Sequence, residues 1–398
     1  MSLSATQEGV RGAERSTVFV SLLLLWLAGA GLRLTILAIP PVIPMIRADL
    51  GLGGTDVGIL GGIPMALFAL AAIPGSLLIA RLGLLRTLVG GLMIIGLGSA
   101  LRAVTGNALS LFGATVLMSF GIAILQPAMP AAVRLWQPRR IGLATAVFTN
   151  GMLLAETLPT ALTTHHVLPM LGGNWRADLV FWSLPLALTA LLVLMLAPRA
   201  EEPRGTTATS GWPNWRDSLI WKLGALFGVL NGTYYAANNF LPDLLISTGR
   251  GEAVGAALAA LNGGQLPASF LLLFIAQRLE GRKWPYVASA VWMAMALAGL
   301  ALTTTSTGAV LSAGLLGFAI GWGFILALTL PRLLRPQDVV RTSAAVYTVS
   351  YGCGMALSVI CGAAWDWVGK PSMAFAPLTV CPFLLAGFAL SLHLGRKA

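Results

Sequence analysis

An arginine lies in the middle of the first long apolar run of this 398-residue sequence. The run extends from Val18 to Pro44, and Arg33 lies near its centre. A membrane-spanning helix needs about 20 mostly apolar residues, and a charge at its centre costs about 2.5–3.5 kcal/mol on insertion scales. Arg33 is therefore expected to face other helices or a watery cavity, where it can meet an anionic or strongly polar solute. The alternative is that Arg33 only pairs with a carboxylate or carbonyl groups of a neighbouring helix.

A polar face follows in the second half of the chain. Asn231, Tyr234, Tyr235 and Asn238 have the i, i+3, i+4, i+7 spacing of one helical face. Such a face would lack hydrogen-bond partners in lipid, so we expect it to point inward. Residues of similar predicted depth complete the candidate solute site, which comprises Arg33, Asn150, Asn231, Tyr234, Asn238, Gln265 and Tyr351. The alternative for each amide is an interhelical hydrogen bond, which contributes about 0.6 kcal/mol.

Two more charged residues lie inside apolar segments. Arg102 is near the outer end of its segment, where it either extends toward the surface or provides a second anion contact. Glu156 is a carboxylate inside a span. It can balance Arg33 or Arg102, or it can carry a proton when desolvation favours its neutral form.

The composition predicts the class of protein. Hydrophobic residues make up 57 % of the sequence and charged residues only 10 %, whereas soluble domains carry about 25 % charged residues. We therefore expect an all-α polytopic protein in a lipid bilayer. The sequence lacks the G-x-x-x-x-G-K-[ST], H-E-x-x-H and G-x-S-x-G motifs, which argues against an ATP-driven motor and against hydrolases of those types. We expect no enzyme activity, no cofactor, no metal and no nucleic-acid partner.

Hydropathy predicts twelve membrane-spanning helices in two groups of six. The predicted segments are 18–44, 56–80, 87–106, 109–132, 141–164, 178–197, 217–246, 253–277, 284–304, 308–330, 342–365 and 373–394. Between the groups lies the polar connection 198–216, which divides the chain into an N-terminal half, 1–197, and a C-terminal half, 217–398. Glycines four residues apart predict close helix packing; they are Gly224, Gly228, Gly232, Gly317 and Gly321.

Basic residues between the segments predict the orientation. One side carries many more of them than the other, whose loops hold only Arg47, Arg176, Arg250 and Lys370. Cytoplasmic loops are enriched in Lys and Arg, so we expect both termini and the central connection in the cytoplasm.

The two halves also repeat each other. Arg134–Pro138 after the fourth segment has a counterpart in Arg332–Pro336 after the tenth, and Ala146–Thr149 has one in Ala345–Thr348. Two parallel six-helix repeats around a central cavity are the architecture of the major facilitators, which bind solute near the middle of the membrane.

Several motifs resemble this family and one branch of it. Ser76–Arg86 resembles the major facilitator loop G-x-L-a-D-R-x-G-R-R, with Ala80 at the aspartate position; on that resemblance Arg81, Gly83 and Arg86 form a gating loop. Gly31–Pro44, Ser99–Arg102 and Gly121–Pro130 resemble the cyanate and 2-nitroimidazole transporter branch over residues 25–140. The resemblance implies a carrier in a bacterial inner membrane. It also implies that Arg33 contacts the anion and that Arg102 and Gln126 are further site positions.

The sequence thus predicts a monomeric secondary active transporter with alternating access. Its solute is expected to be a small anion or a small polar, including nitro-bearing, organic molecule, with protons as a candidate coupling ion through Glu156. One alternative is a proton-coupled multidrug or antibiotic exporter, which predicts broad apolar substrates. An alternative of another class is a membrane sensor that binds solute without moving it.

Overall fold

The computed structural model describes residues 18–70, 79, 81–198 and 214–392. Every regular element within these ranges is helical. Ala80 and most of the central connection, residues 199–213, lie outside the described residues.

Twelve helical segments are described, as the hydropathy pattern predicts. Ten are long and apolar enough to cross a bilayer, the shorter Gly54–Leu70 is also apolar, and Ser218–Ser247 has 30 residues. In chain order the segments are α1 Val18–Leu50, α2 Gly54–Leu70, α3 Leu84–Val104, α4 Ala108–Trp136, α5 Ile141–Met170, α6 Trp175–Leu196, α7 Ser218–Ser247, α8 Gly251–Leu279, α9 Trp284–Leu302, α10 Ser306–Leu334, α11 Arg341–Val368 and α12 Pro371–Ser391.

Some predicted boundaries are wrong at segments with internal irregularities. The first segment was predicted to end at Pro44, but α1 continues to Leu50. It passes through prolines because Pro40, Pro41 and Pro44 occupy the first turns of short helices, where the missing proline N–H leaves no hydrogen bond unmade. The fifth segment continues past residue 164 through a π-helical turn, Thr163–Val167, to Met170.

Helices pack both within and between the two groups of six. In the first group α3 packs on α4 and α6, and in the second α7 packs on α11 and α10 packs on α8 and α9. Between the groups, α2 packs along α11 and α5 packs along α8. These two pairs form much of the contact between the halves.

Glycines permit the close helix contacts that their spacing predicts. A Cβ on Gly228 of α7 would come within 2.6 Å of the Cys353 Cβ in α11, and one on Gly232 would come within 2.8 Å of the Leu357 side chain. A Cβ on Gly321 of α10 would lie 3.1 Å from the Gln265 Cα. The predicted packing role of these glycines is confirmed.

The twelve helices alternate in direction and define two ends of the bundle. The near end contains residue 18, at the start of α1, and Ser218. The far end contains Leu50, Gly54 and Val368. The loop residues Arg81, Arg139 and Lys283 belong to the near end, as the sequence pattern predicts.

Candidate solute-binding site

Arg33 lies where the first segment is interrupted. The helix beginning at residue 18 ends at residue 31, and Arg33 is the N-cap of the short turn Leu34–Leu37, with φ −124° and ψ −30°. A 3-10 turn, Pro40–Val42, and the helix Ile43–Leu50 complete α1. Backbone groups freed by such an interruption need partners inside the protein rather than in lipid. The irregular stretch is buried, and it places Arg33 between the two halves.

Arg33 connects residues from both halves. Its Nη1 donates a hydrogen bond to the Tyr235 hydroxyl of α7 at 2.7 Å, and its Nε lies 3.1 Å from Oε1 of Glu156 in α5. The guanidinium carbon lies 5.8 Å from the Phe68 ring centroid. The Nε atom is buried and has no aligned hydrogen-bond acceptor among the described residues. At the interface of the halves, the Nε–H of Arg33 therefore has a charge partner in Glu156 but no aligned hydrogen bond.

Glu156 forms the negative half of this charge pair. Its Oε2 accepts a hydrogen bond from Nε2 of Gln265 in α8 at 3.3 Å, so the carboxylate also spans the two halves. The sequence left open whether Glu156 balances Arg33 or Arg102, and the geometry assigns it to Arg33. Because the pair is neutral, an added anion would leave one excess negative charge unless Glu156 took up a proton.

A buried amide and tyrosine network lies beside the charge pair. The Tyr234 hydroxyl donates to Oδ1 of Asn262 at 2.5 Å, and Nδ2 of Asn262 donates to Oδ1 of Asn238 at 2.8 Å. Nδ2 of Asn238 donates to the Tyr234 carbonyl at 3.0 Å. The rings of Tyr234 and Tyr235 meet edge to face with centroids 5.1 Å apart. Tyr234 and Asn238 thus support the neighbouring Tyr235 that contacts Arg33.

An aromatic wall borders the near-end side of Arg33. Tyr351 of α11 meets Phe68 of α2 edge to face, with centroids 5.3 Å apart, and stacks on Tyr347 at 6.2 Å. These rings line a cavity of about 180 Å³ between the halves. Gln126 of α4 and Thr348 of α11 add polar groups to its wall. Two predicted site residues, Gln126 and Tyr351, therefore share one cavity.

Two predicted site residues have partners elsewhere. Nδ2 of Asn231 donates to Oγ of Ser350 at 2.8 Å, and Oδ1 of Asn150 accepts from the Trp26 indole N–H at 3.0 Å. Both contacts join neighbouring helices of one half. The structure does not bring them to Arg33, and the interhelical alternative describes them better. The gating-loop residues are also remote, because they lie between α2 and α3 at the near end.

Arg102 is completely buried, so the predicted alternative of extension toward the surface is wrong. Its Nη2 donates to the Thr35 carbonyl at 3.0 Å and to Oγ of Ser99 at 2.6 Å. Arg102 lines a small cavity of about 20 Å³ together with Tyr235 and Asn238. Its hydrogen-bond partners among the described residues are neutral, and one of them is the backbone of the interrupted stretch after Arg33.

Four site residues were missing from the predicted set, and they are Phe68, Tyr235, Asn262 and Tyr347. Tyr235 belongs to the polar helical face that the sequence predicts, but the predicted solute site includes its neighbour Tyr234 and not Tyr235. Tyr347 lies four residues before Tyr351 on the same helical face. Phe68 and Asn262 lie in apolar segments without a distinguishing pattern.

Comparison with known proteins agrees with this architecture. The sequence profile of the Major Facilitator Superfamily matches residues 23–359. The chain is 26 % identical to the 2-nitroimidazole transporter of Escherichia coli, over 90 % of this chain and 91 % of that protein. It is also 26 % identical to the cyanate transport protein CynX of Escherichia coli, over 66 % and 68 % of the two chains. The resemblance to this branch is confirmed, and it extends beyond residues 25–140.

The fold has a counterpart among solved structures. A D-xylose–proton symporter superposes with a TM-score of 0.74 at 16 % identity, covering 94 % of this chain and 96 % of the other. At this identity the likeness concerns the fold alone. Because the superfamily profile covers most of the sequence and the fold agrees with it, the chain belongs to the Major Facilitator Superfamily.

Proposed function

We propose that this protein is a secondary active transporter of a small anionic or small polar organic solute, including nitro-bearing molecules. The observation that carries the proposal is Arg33, which lies at a helix interruption between the halves and whose buried Nε faces the Glu156 carboxylate at 3.1 Å without an aligned hydrogen bond to any described residue. Buried donors are normally satisfied, and a guanidinium binds carboxylate-like oxygen pairs through its planar fork. The relatives named as transporters of 2-nitroimidazole and cyanate support a small solute of this kind.

Solute binding at this site would be coupled to a proton through Glu156. An anion that binds Arg33 competes with the Glu156 carboxylate, which lies 3.1 Å from the same guanidinium. Protonation of Glu156 neutralises the competitor and keeps the site electrically neutral, which matters because an excess charge inside a membrane protein is costly. The solute and the proton therefore favour each other's binding. For an uncharged nitro compound the same N–H donor would bind a nitro oxygen.

The first experiment measures thermal stabilisation of the purified protein by cyanate, nitrate and 2-nitroimidazole. A ligand at 100 times its Kd adds about 2.7 kcal/mol of apparent stability. Arg33→Gln is expected to weaken binding by about ten- to a hundredfold, since a charged hydrogen bond contributes about 1.5–3 kcal/mol and 1.4 kcal/mol is a factor of ten. Arg250→Gln is the matched control, because Arg250 is also buried but bonds the Thr303 carbonyl at the far end.

Uptake into proteoliposomes then tests transport and coupling. The wild type is expected to accumulate the stabilising solute in response to an imposed pH gradient, whereas Glu156→Gln should bind it but lose the response to the gradient. Uptake no faster than in empty vesicles would favour a sensor over a transporter. Stabilisation by bulky apolar compounds alone, unchanged in Arg33→Gln, would contradict the anion site and favour an exporter.

A further inference from the structure

The far ends of α2 and α11 are joined by one carboxylate. Asp366, near the end of α11, accepts hydrogen bonds from the backbone N–H of Gly54 at 2.6 Å and of Thr55 at 2.7 Å. It also accepts one from the Thr55 hydroxyl at 2.5 Å. The first N–H groups of a helix have no partner within that helix, and the helix dipole favours negative charge at this position. The start of α2 in the first half is thus capped by a residue of the second half.

A second polar contact joins the halves at the same end. Nε of Arg47, in α1, donates to Oδ1 of Asp243, in α7, at 3.2 Å, and Nη1 donates to the Leu52 carbonyl. The Arg47 guanidinium lies 4.3 Å from the ring centroid of Trp365, next to Asp366 in α11. Arg47 therefore contacts two helices of the C-terminal half, α7 and α11.

The backbones of α2 and α11 also approach closely there. A Cβ on Gly54 would lie 2.8 Å from the Gly362 carbonyl oxygen and 2.9 Å from the Trp365 ring. The same two helices border the large cavity further along, where Phe68 of α2 and Tyr351 of α11 line its wall. They are therefore in close contact at the far end and enclose a cavity toward the near end.

We propose that Arg47, Gly54, Thr55, Asp243 and Asp366 form a far-end latch, which closes the route from that end to Arg33 and must release for the route to open. Polar contacts suit such a device, because water replaces hydrogen bonds at little net cost when helices separate, and it would hydrate both partners of the half-buried Arg47–Asp243 pair. The Asp366 carboxylate caps the start of α2 in the facing half, and this contact favours the state described here.

The test measures a distance between the halves at the far end by pulsed electron paramagnetic resonance. Spin labels are attached at Val104→Cys and Thr304→Cys, two exposed positions at the far end of different halves. The natural cysteines, Cys353, Cys361 and Cys381, are first replaced by alanine. The full-length protein is measured in vesicles without added solute. Asp366→Asn is expected to add a longer-distance population that the parent lacks, because one amide oxygen cannot replace two charged acceptors.

Asp49→Asn is the matched control. Asp49 lies at the same end, but it pairs with Arg176 inside the first half, so its loss should leave the distance distribution unchanged. Arg47→Gln provides a second latch variant, and it should also lengthen the distance if Asp366→Asn does not yield folded protein. Unchanged distances in both folded latch variants would overturn the proposal, and so would an equal change in Asp49→Asn.

The inference rests on the proposed function only for its role in transport, since this measurement needs no solute. Lengthened distances without any detectable transport would leave the latch intact and contradict the transporter.

Discussion

The two buried arginines Arg33 and Arg102 have different kinds of partners for their guanidinium groups. Arg33 faces the Glu156 carboxylate and the Tyr235 hydroxyl, but its Nε makes no aligned hydrogen bond within the part of the chain that the structure describes. Arg102 is fully buried, and its hydrogen bonds go to neutral oxygens, including the Thr35 carbonyl two residues after Arg33. A partly satisfied cation is suited to binding a solute, whereas a cation that bonds a freed carbonyl is suited to holding an irregular backbone. We therefore expect Arg102 to position the stretch that carries Arg33.

Arg102→Gln tests this positioning role. The substitution is expected to lower the free energy of unfolding by about 1–3 kcal/mol, because the Thr35 carbonyl and the Ser99 hydroxyl lose a buried donor. Thermal unfolding in detergent checks the stability, and solute titration checks the binding. Arg139→Gln, at an exposed near-end position, should leave both unchanged. Native stability with a complete loss of solute binding would instead assign Arg102 to the solute.

At the scale of elements, interruptions and glycines place the site. The break around Arg33 moves its side chain into the interface, and the contact of α3 with α4 supports the helix that carries Gln126. That contact is close at Gly121, where a Cβ would lie 2.8 Å from the Ile95 nitrogen and 2.9 Å from the Gly91 carbonyl oxygen. Backbone atoms cannot move aside as side chains do, so α3 and α4 depend on this glycine.

Gly121→Ala is therefore expected to destabilise the protein by about 1–3 kcal/mol, the usual cost of overpacking. Gly113→Ala on the same helix is the control, because a Cβ there meets no atom within 4 Å among the described residues. Alanine favours a helix over glycine by about 1 kcal/mol, so the control should be neutral or slightly stabilising. The melting temperatures of the two variants test this prediction. Equal melting temperatures would show that α3 and α4 can move apart at no cost in stability.

At the scale of the whole molecule, the closed far end and the basic near end give the bundle a direction. Arg81, Arg139 and Lys283 are among the many basic residues of the near-end loops, whereas the far-end loops hold only Arg47, Arg176, Arg250 and Lys370. Basic loops stay in the cytoplasm during insertion. We propose that the near end faces the cytoplasm, so that the far-end latch closes the route from outside.

Reporter fusions in a bacterial host test this orientation. A fluorescent protein that matures only in the cytoplasm should be bright when it is fused after residue 398. Alkaline phosphatase, which is active only outside the cytoplasm, should be active when it is fused after Thr304 in a far-end loop and inactive at the C-terminus. The reverse pattern would contradict the assignment and would place the latch on the cytoplasmic side.

The sequence alone determined the twelve segments and the need of Arg33 for a partner inside the protein. These follow from local properties, because each apolar run must span the bilayer wherever its neighbours lie, and a charge inside such a run needs a partner. The tertiary structure alone decided which partner was chosen. Tyr234 and Tyr235 differ by one position, so only the rotation of α7 against α1 brings Tyr235 to Arg33. The contacts of Glu156 with Arg33 and of Asp366 with α2 likewise join residues far apart in sequence, and such pairings depend on packing that no local pattern encodes.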